Sequence, residues 1–213
     1  MLTVATAIFG KGFSLFDPTG TWPGCRFVCF TDRPDIKSDR WEIVRQTHPN
    51  TPRRSNRCVK TTLHRYVSGP TLYIDADFQV TADPHEVVGL SLEQNCWSAT
   101  LHPQRDCLFD EAAFCSRRKR LESKRPLGFQ LRRYRKRGMP EHFGLWAGGI
   151  LARRGDADSD RLGEAWWDQI KLGSERDQIS LPYVAWRLGL MPGVIPGVYT
   201  QLPGLQRRKR PAK

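Results

Sequence analysis

Short apolar runs alternate along the chain with longer amphipathic stretches, and this alternation restricts the possible folds. Residues 2–9, 26–30, 41–44, 71–77, 97–101 and 144–152 are compact runs that favour strands. Residues 52–67, 84–90, 109–121, 126–137, 160–172 and 176–188 instead space their apolar residues as a helix does. The alternation predicts an α/β fold in one domain, with a mostly parallel central sheet flanked by helices.

The fourth predicted strand ends in two acids, Asp75 and Asp77, separated by one residue. Acids so spaced can both turn toward one cation at the mouth of a strand. Mg²⁺ and Mn²⁺ are commonly held by one or two carboxylates together with the phosphates of a substrate. The motif therefore predicts an anchor for a metal and a diphosphate; the alternative is a strand-end turn whose acids face water.

Other polar residues fall at the same edge of the predicted sheet. The chain segments Phe9-Gly10 and Thr31-Asp32 and the side chain of His102 all follow predicted strands, and ligands of parallel sheets gather at the carboxyl ends of strands. A helix just upstream of Asp75 carries four cations that could meet diphosphate oxygens: Arg53, Arg54, Arg57 and Lys60. The alternative is that these cations form a solvated helix face.

The formal charge of +12 is concentrated in two segments. Eleven Lys and Arg residues and one Glu lie between Arg117 and Arg137, and five cations without an acid lie from Arg207 onward. This pattern allows a second function, a nucleic-acid-binding protein without catalytic activity, although no recognised nucleic-acid motif organises the cations. Peripheral contact with an anionic membrane explains the same charges. Hydrolysis of glycosides is disfavoured, because two acids on one strand do not flank a scissile bond.

Cysteine spacing and hydropathy bear on the location of the protein. The six cysteines form no Cys-x-x-Cys pair, and a chain of this size does not need disulfides. Neither a basic leader nor a long apolar segment is evident. We therefore expect the cysteines to be free thiols. We also expect a cytoplasmic protein, which could lie at the membrane surface.

An ordered set of short motifs runs from about residue 3 to 190: Thr6-Ala7-Ile8-Phe9-Gly10, Cys29-Phe30-Thr31-Asp32, Trp41-Glu42-Ile43-Val44, Tyr73-Ile74-Asp75-Ala76-Asp77, His102-Pro103-Gln104-Arg105-Asp106-Cys107, Asp110-Glu111-Ala112, Gly138-Met139-Pro140, Trp166-Trp167 and Ser174-Glu175-Arg176-Asp177-Gln178-Ile179-Ser180. In this order, the motifs resemble a glycosyltransferase-like family that was once a domain of unknown function. That family includes bacterial proteins and plant Golgi proteins linked to wall polysaccharides.

The resemblance implies a GT-A-like domain over residues 1–190, with a basic helical insertion at about 110–138 and a Pro/Gly-rich segment and basic tail at 191–213. It also implies transfer of a sugar from a nucleoside diphosphate sugar, with a uridine donor favoured, to a glycan or lipid-linked acceptor in the presence of Mn²⁺ or Mg²⁺. The implied residues are Asp75 and Asp77 for the metal and diphosphate, Thr6, Phe9, Gly10, Asp32, Arg57 and Lys60 for the nucleotide sugar, and His102, Arg105, Glu111, Arg176 and Gln178 for the sugar or acceptor.

Asp177 is the implied catalytic acid. Glycosyl transfer passes through an oxocarbenium-like state, in which a carboxylate can deprotonate the attacking hydroxyl or stabilise the cation. The alternative is a helix-terminal acid favoured by the helix dipole, with Ser174 as the N-cap. The sequence departs from the GT-A pattern after His142, because no later histidine is present to serve as a third metal ligand.

Overall fold

The computed structural model describes residues 1–118, 124–197 and 201–208. Its strands are β1 (Leu2–Ile8), β2 (Cys25–Thr31), β3 (Glu42–Arg45), β4 (Thr71–Ile74), β5 (Phe78–Val80), β6 (Trp97–Leu101), β7 (Trp146–Arg153), β8 (Gly193–Val194) and β9 (Leu205–Arg207). Within these ranges, one sheet has the order β3-β2-β1-β4-β7-β6-β8, and β5 pairs with β9 separately.

The central sheet is mostly parallel, as the sequence predicts. β1 pairs in parallel with β2 and β4, β2 with β3, and β6 with β8. β7 runs antiparallel to both of its neighbours, β4 and β6. β1 and β7 are buried along their whole length, which is why they appear in the sequence as continuous rather than alternating apolar runs.

The helices are α1 (Pro52–Thr61), α2 (Pro84–Val88), α3 (Leu108–Arg117), α4 (Lys124–Lys136), α5 (Ala157–Leu172) and α6 (Asp177–Leu188). Local signals fix several ends. The Thr51 hydroxyl accepts a hydrogen bond from the Arg54 N–H, Asp156 and Ser159 form a reciprocal capping box, and Gly189 ends α6 with φ +67°.

α1 ends earlier than the predicted boundary at residue 67. The hydroxyls of Thr61 and Thr62 bond back to the carbonyls of Arg57 and Cys58 at 2.9 Å and 2.8 Å, a contact that competes with the regular helix. A 3-10 turn at Leu63–Arg65 then leads toward β4.

Two hydrophobic clusters cover the faces of the sheet. One contains Ala5, Phe30 and Tyr73 together with apolar residues of α1, α3, α5 and α6. The other contains Val4, Cys29, Leu72 and Ile74, with α2 and β9 contributing to it. Neighbouring residues of one strand thus enter opposite clusters, as the alternation of a pleated strand requires.

Two cations of the predicted basic insertion help to hold α4 in place. Tyr134 of α4 stacks on Tyr183 with ring centroids 3.7 Å apart. Arg133 donates to Gln169 at 2.6 Å, and Arg137 donates to the Tyr183 hydroxyl at 2.9 Å. Residues 119–123 and 209–213, which complete the two predicted basic segments, lie outside the described residues.

The predicted free thiols are confirmed, since all six cysteines are unpaired. Among the described residues, no helix is long and apolar enough to cross a membrane. The chain after α6 also contains two strands that its Pro/Gly-rich composition did not predict. β8 extends the central sheet beside β6, and β9 returns to pair with β5.

Gly163 sets the close approach of α5 to α1. A Cβ atom at this position would lie 2.3 Å from the Thr61 carbonyl oxygen, so the helices must separate in Gly163→Ala. We expect the free energy of unfolding in urea to fall by roughly 1–3 kcal/mol. The matched control is Gly128→Ala in α4, where a Cβ meets nothing within 4 Å and we expect a gain of about 0.5–1 kcal/mol. Equal changes in the free energy of unfolding for Gly163→Ala and Gly128→Ala would contradict a close contact between α5 and α1 at Gly163.

Candidate active site

The carboxyl ends of β1, β2 and β4 meet at one edge of the sheet. The strand order places β2 and β3 on one side of β1 and β4 on the other, so the connections diverge between β1 and β4. Such a divergence opens a crevice where ligands of α/β sheets bind. This edge contains Gly10, Asp32 and Asp75, which follow the ends of β1, β2 and β4. Helix α1 lies beside it.

The β1 end is built around a close backbone approach. The Gly10 N–H donates to Asp32 Oδ1 at 3.0 Å, and Gly10 has φ +74°. A Cβ here would lie 2.7 Å from the Pro52 side chain at the start of α1. Gly10 therefore lets the ends of β1, β2 and α1 converge.

Phe9 and Thr6 lie within this end of the sheet. The Phe9 N–H donates to Asn56 Oδ1 at 3.3 Å, and the Phe9 ring lies edge-on to His48 at 5.2 Å. Thr6 is buried, and within the described part of the chain its hydroxyl has no hydrogen-bond partner. Both residues thus contribute to the wall of the crevice more than to its open surface.

A pocket of about 300 Å³ adjoins Asp32. Its lining comes from the ends of β2 and β3: Thr31, Asp32, Arg45, Gln46 and Thr47. A volume of this size is at the lower end of the range for small-molecule sites. The pocket therefore offers space for part of a ligand beside the β1 end.

Four charged side chains form a compact cluster between α1, β4 and α6. Lys60 Nζ lies 2.7 Å from Asp177 Oδ2 and 3.2 Å from Asp75 Oδ1. Arg57 approaches the same two oxygens at 3.4 Å and 3.9 Å. Two cations therefore bridge two carboxylates, and the four formal charges cancel. The structure brings together two of the four predicted diphosphate cations, the first acid of the Asp-x-Asp motif and the predicted catalytic acid.

Two glycines of β7, Gly148 and Gly149, lie beside this cluster, and Gly148 leaves space for it. A Cβ at Gly148 of β7 would lie 2.9 Å from Asp177 Oδ2 and 3.6 Å from Lys60 Nζ. The neighbouring Gly149 carbonyl accepts the Asp75 N–H at 2.7 Å. From the other side, the Trp166 indole N–H donates to the Asp177 carbonyl at 3.1 Å. The absence of a side chain at position 148 is what lets the ion pair fit beside the strand.

The cluster keeps Asp177 ionised. Burial, with only 3% of the residue exposed, raises the pKa of its carboxyl, but Arg57 and Lys60 lower the pKa more, to well below the ordinary value. Its other oxygen accepts the Gln178 N–H at 3.1 Å. A carboxylate this acidic is a weak proton acceptor at neutral pH, so the arrangement suits electrostatic stabilisation of positive charge better than general-base catalysis.

Asp77 has a different partner from Asp75. Arg207 of β9 donates to Asp77 Oδ2 at 3.0 Å, and the Arg208 N–H donates to the Asp77 carbonyl at 2.7 Å. The two acids of the motif are therefore not turned toward a common side-chain partner. The Asp77 carboxylate is held by β9, while Asp75 is held by α1.

The acids nevertheless suit a hard divalent ion. Within the described ranges, no set of three His, Cys, Asp or Glu ligand atoms lying within 4.8 Å of one another includes Asp75 or Asp77. Two carboxylates alone match Mg²⁺ and Mn²⁺, which take further oxygens from water and phosphates. Arg207 holds the Oδ2 atom of Asp77, so an ion shared by both acids would compete with Arg207 for this carboxylate.

A second charged cluster surrounds the fully buried Glu111 of α3. Arg105 Nε donates to one Glu111 oxygen at 2.7 Å, and Arg176 donates to the other at 2.9 Å. The Cys115 thiol donates to the latter oxygen at 3.1 Å. Burial raises the pKa of Glu111, but these donors outweigh burial and the pKa is lowered overall. Glu111 thus fixes the positions of two arginines.

His102 lies beside this cluster with its Nε2 atom 3.7 Å from Glu111. Its Nδ1 atom accepts the Arg105 N–H at 3.1 Å. Burial lowers the pKa of the imidazole below its ordinary value, so His102 is neutral at pH 7. The structure therefore joins His102, Arg105, Glu111 and Arg176, four of the residues predicted for the sugar or acceptor, while Gln178 follows in the first turn of α6.

Sequence reasoning missed several residues that shape the site. The pocket side chains Arg45 to Thr47 depend on where β3 ends, and the Asn56 contact depends on where α1 begins. Arg207 belongs to a strand that the Pro/Gly-rich composition did not predict. Arg54, predicted as one of four diphosphate cations, instead clamps α1 to Glu175 at 2.8 Å. The sequence offered one signal for the position of the charged cluster: the Gly148-Gly149 pair within a predicted strand. Glycines inside a strand indicate that another group approaches the backbone closely.

The chain matches the model of a known protein family over residues 28–195; the description of that family is "TOD1/MUCI70, glycosyltransferase-like domain". The match confirms the resemblance drawn from the motifs. It includes both charged clusters but not the β1 end or Arg207. No curated protein matched the chain.

Asp177→Asn tests the cluster through its pH dependence. The substitution leaves the buried Lys60 and the partly buried Arg57 with one carboxylate of the cluster, so we expect the free energy of unfolding at pH 7 to fall by about 3–5 kcal/mol. The folded-state pKa of Asp177 is lowered, so its carboxylate stabilises the fold above its ordinary pKa of about 3.9. That contribution is lost as the pH falls further, and the difference between the two proteins should shrink.

Urea titrations of both proteins between pH 7 and pH 3 provide the measurement. The matched control is Asp168→Asn, which removes an exposed carboxylate paired with Lys171 at 2.7 Å and should change stability by less than about 1 kcal/mol. A constant difference between wild type and Asp177→Asn across this pH range would contradict the lowered pKa.

Proposed function

Since the chain belongs to the TOD1/MUCI70 family of glycosyltransferase-like domains, we propose that it transfers a sugar from a nucleoside diphosphate sugar to a hydroxyl group of a glycan or lipid-linked acceptor. The observation that carries this proposal is the pair of cations, Arg57 and Lys60, held between Asp75 and Asp177 at the carboxyl end of the sheet. Cations fixed at this edge are suited to the diphosphate of such a donor.

The architecture supports a GT-A-type domain. Four adjacent parallel strands, β3-β2-β1-β4, are followed by the antiparallel β7, and the charged cluster lies where the strand connections diverge. In this proposal, the nucleoside occupies the crevice beside Phe9 and Gly10 and extends into the pocket near Asp32. A uridine is the favoured base, by resemblance to the family.

Asp75 and Asp77 are the proposed ligands of Mn²⁺ or Mg²⁺, with water and diphosphate oxygens as the remaining ligands. When bound, the ion neutralises negative charge on the departing diphosphate. Arg57 and Lys60 donate hydrogen bonds to the same group from the side of α1. Because Lys60 is held by two carboxylates, its ammonium group is in position before the donor arrives, which limits the reorganisation needed during transfer.

Asp177 has the proposed role of stabilising positive charge. As the bond to the diphosphate breaks, positive charge develops on the sugar, and an ionised carboxylate nearby opposes that charge. Its lowered pKa makes removal of the acceptor proton the less favourable role. Asp177 also keeps Lys60 and Arg57 oriented, so a positioning role accompanies the electrostatic one.

The cluster around Glu111 is the proposed contact for the sugar or acceptor. Arg105 and Arg176 are aligned by the buried carboxylate, and each retains further N–H groups that can donate to hydroxyl oxygens. His102 is neutral, and the edge of its ring lies beside these two arginines. Glu111 itself is fully buried and acts through these neighbours.

The alternative of a nucleic-acid-binding protein is less well supported. Arg133 donates a hydrogen bond to Gln169 and Arg137 donates one to the Tyr183 hydroxyl, and Arg135 lies over the Phe109 ring at 4.4 Å. The exposed Phe129, with Arg132 stacked over it at 4.6 Å, instead suits peripheral contact with an anionic membrane. A cytoplasmic location with such contact remains part of the proposal.

Asp75→Asn tests donor binding directly. Uridine and guanosine diphosphates are added with Mn²⁺, with Mg²⁺ or with chelator, and thermal unfolding is followed. We expect wild type to be stabilised by a nucleotide in the presence of a metal, because a bound ligand raises Tm by mass action, and we expect Asp75→Asn to lose this shift. The control, Asp168→Asn, should keep it. Stabilisation of wild type by single-stranded DNA at low salt but by no nucleotide would support the alternative function instead.

The contact of Arg207 with Asp77 predicts competition between the tail and the metal. Removing the guanidinium in Arg207→Ala frees the Asp77 carboxylate, and we expect Mn²⁺ to bind about two- to fivefold more tightly, a modest gain because the arginine is 44% exposed. Arg208→Ala is the matched control, since its side chain contacts Gln79. Calorimetric titration measures both; equal affinities would contradict a shared position at Asp77.

A further inference from the structure

Four side chains suited to a transition metal meet away from the Asp-x-Asp motif. Cys107 Sγ, a carboxylate oxygen of Asp110 and a ring nitrogen of His142 lie within 4.8 Å of one another. Asp106 adjoins them through its hydrogen bond with His142. The residues come from two segments, the start of α3 and the loop before β7.

Cys107 occupies the N-cap position of α3, where its side chain makes no capping hydrogen bond. It is only 2% exposed, so an ion would reach its sulfur from the side of the exposed Asp110 and His142. Asp110 belongs to the first turn of the same helix. The spacing of three residues places both ligands on one side of that turn.

His142 is presented in an unusual backbone conformation. Among the described non-glycine residues, it alone has positive φ, at +55°, a conformation that side chains other than Gly, Asn and Asp rarely adopt. Its Nδ1 atom lies 2.8 Å from Asp106 Oδ1, which leaves Nε2 for an ion. A carboxylate behind a ligating imidazole is the usual arrangement around protein-bound zinc. His142 is 61% exposed on its side chain, so an ion has access.

We propose that Cys107, Asp110 and His142 bind one Zn²⁺ ion, with water as the fourth ligand and Asp106 orienting His142. A thiolate, an imidazole and a carboxylate suit zinc, unlike the oxygen-only pair Asp75 and Asp77. Zn–ligand bonds of about 2.0–2.3 Å require the three atoms to draw together slightly. Binding replaces the thiol proton of Cys107, which is released to solvent.

The ion would join two segments that already touch. The Gly144 N–H donates to the Asp106 carbonyl at 2.9 Å, beside the loop that carries His102 and Arg105. The site does not depend on the proposed glycosyl transfer. A second group of similar composition, Cys25, Asp83 and His85, is less favourable because Asp83 already caps α2 through the His85 N–H at 2.9 Å.

The test is a titration of the full chain, stripped with chelator, with Zn²⁺ and with Co²⁺. We expect one equivalent of Zn²⁺ to bind and the Co²⁺ form to show thiolate-to-cobalt charge-transfer absorption. Cys107→Ser should abolish that absorption and lower zinc affinity by more than about 100-fold, and Asp106→Asn should lower it about 10- to 100-fold. Asp168→Asn, which removes an exposed carboxylate of α5, should leave the zinc affinity unchanged.

His142→Gly separates loss of the site from loss of the fold. Glycine accepts positive φ without strain, so in chelator its Tm should be no lower than that of wild type, while zinc should stabilise wild type only. Cys25→Ser is the matched control and should retain zinc and the cobalt absorption. Absence of bound zinc in wild type, unchanged affinity in His142→Gly, or loss of the cobalt absorption in Cys25→Ser in place of Cys107→Ser would each overturn the proposal.

Discussion

The ion pair between Lys60 and Asp177 is the interaction on which the arrangement of the site depends. Lys60 is 1% exposed and Asp177 3% exposed, and removing two charges from water costs several kcal/mol per ion unless each is well paired. Arg57 and Asp75 complete the pairing, and Gly148 provides the space. α1, β4, α6 and β7 are therefore held together by a polar contact as well as by their apolar faces.

Charge balance at this site explains how it can stay intact without a ligand yet accept an anionic one. Asp75 and Asp177 neutralise Arg57 and Lys60 in the unliganded protein. In the proposed reaction, a diphosphate brings negative charge and a divalent ion brings positive charge, so the balance changes little on binding. Groups that are already oriented need less rearrangement than flexible surface cations.

The elements with strong local signals were predictable, whereas the partners of individual side chains were not. Continuous apolar runs identified β1 and β7, and the helical spacing from residue 52 onward located the start of α1. β9 has three residues and is defined by pairing with β5, so its composition carries little information. The Asp-x-Asp spacing indicated a cation site, but the contact of Asp77 with Arg207 joins residues 130 positions apart, a separation that no local pattern encodes.

The peptide bond between Arg176 and Asp177 joins the two charged clusters. Arg176 reaches Glu111, and Asp177 reaches Lys60, although the residues are consecutive. The start of α6 therefore places a guanidinium in one cluster and a carboxylate in the other, so the position of this one helix end sets the geometry of both clusters.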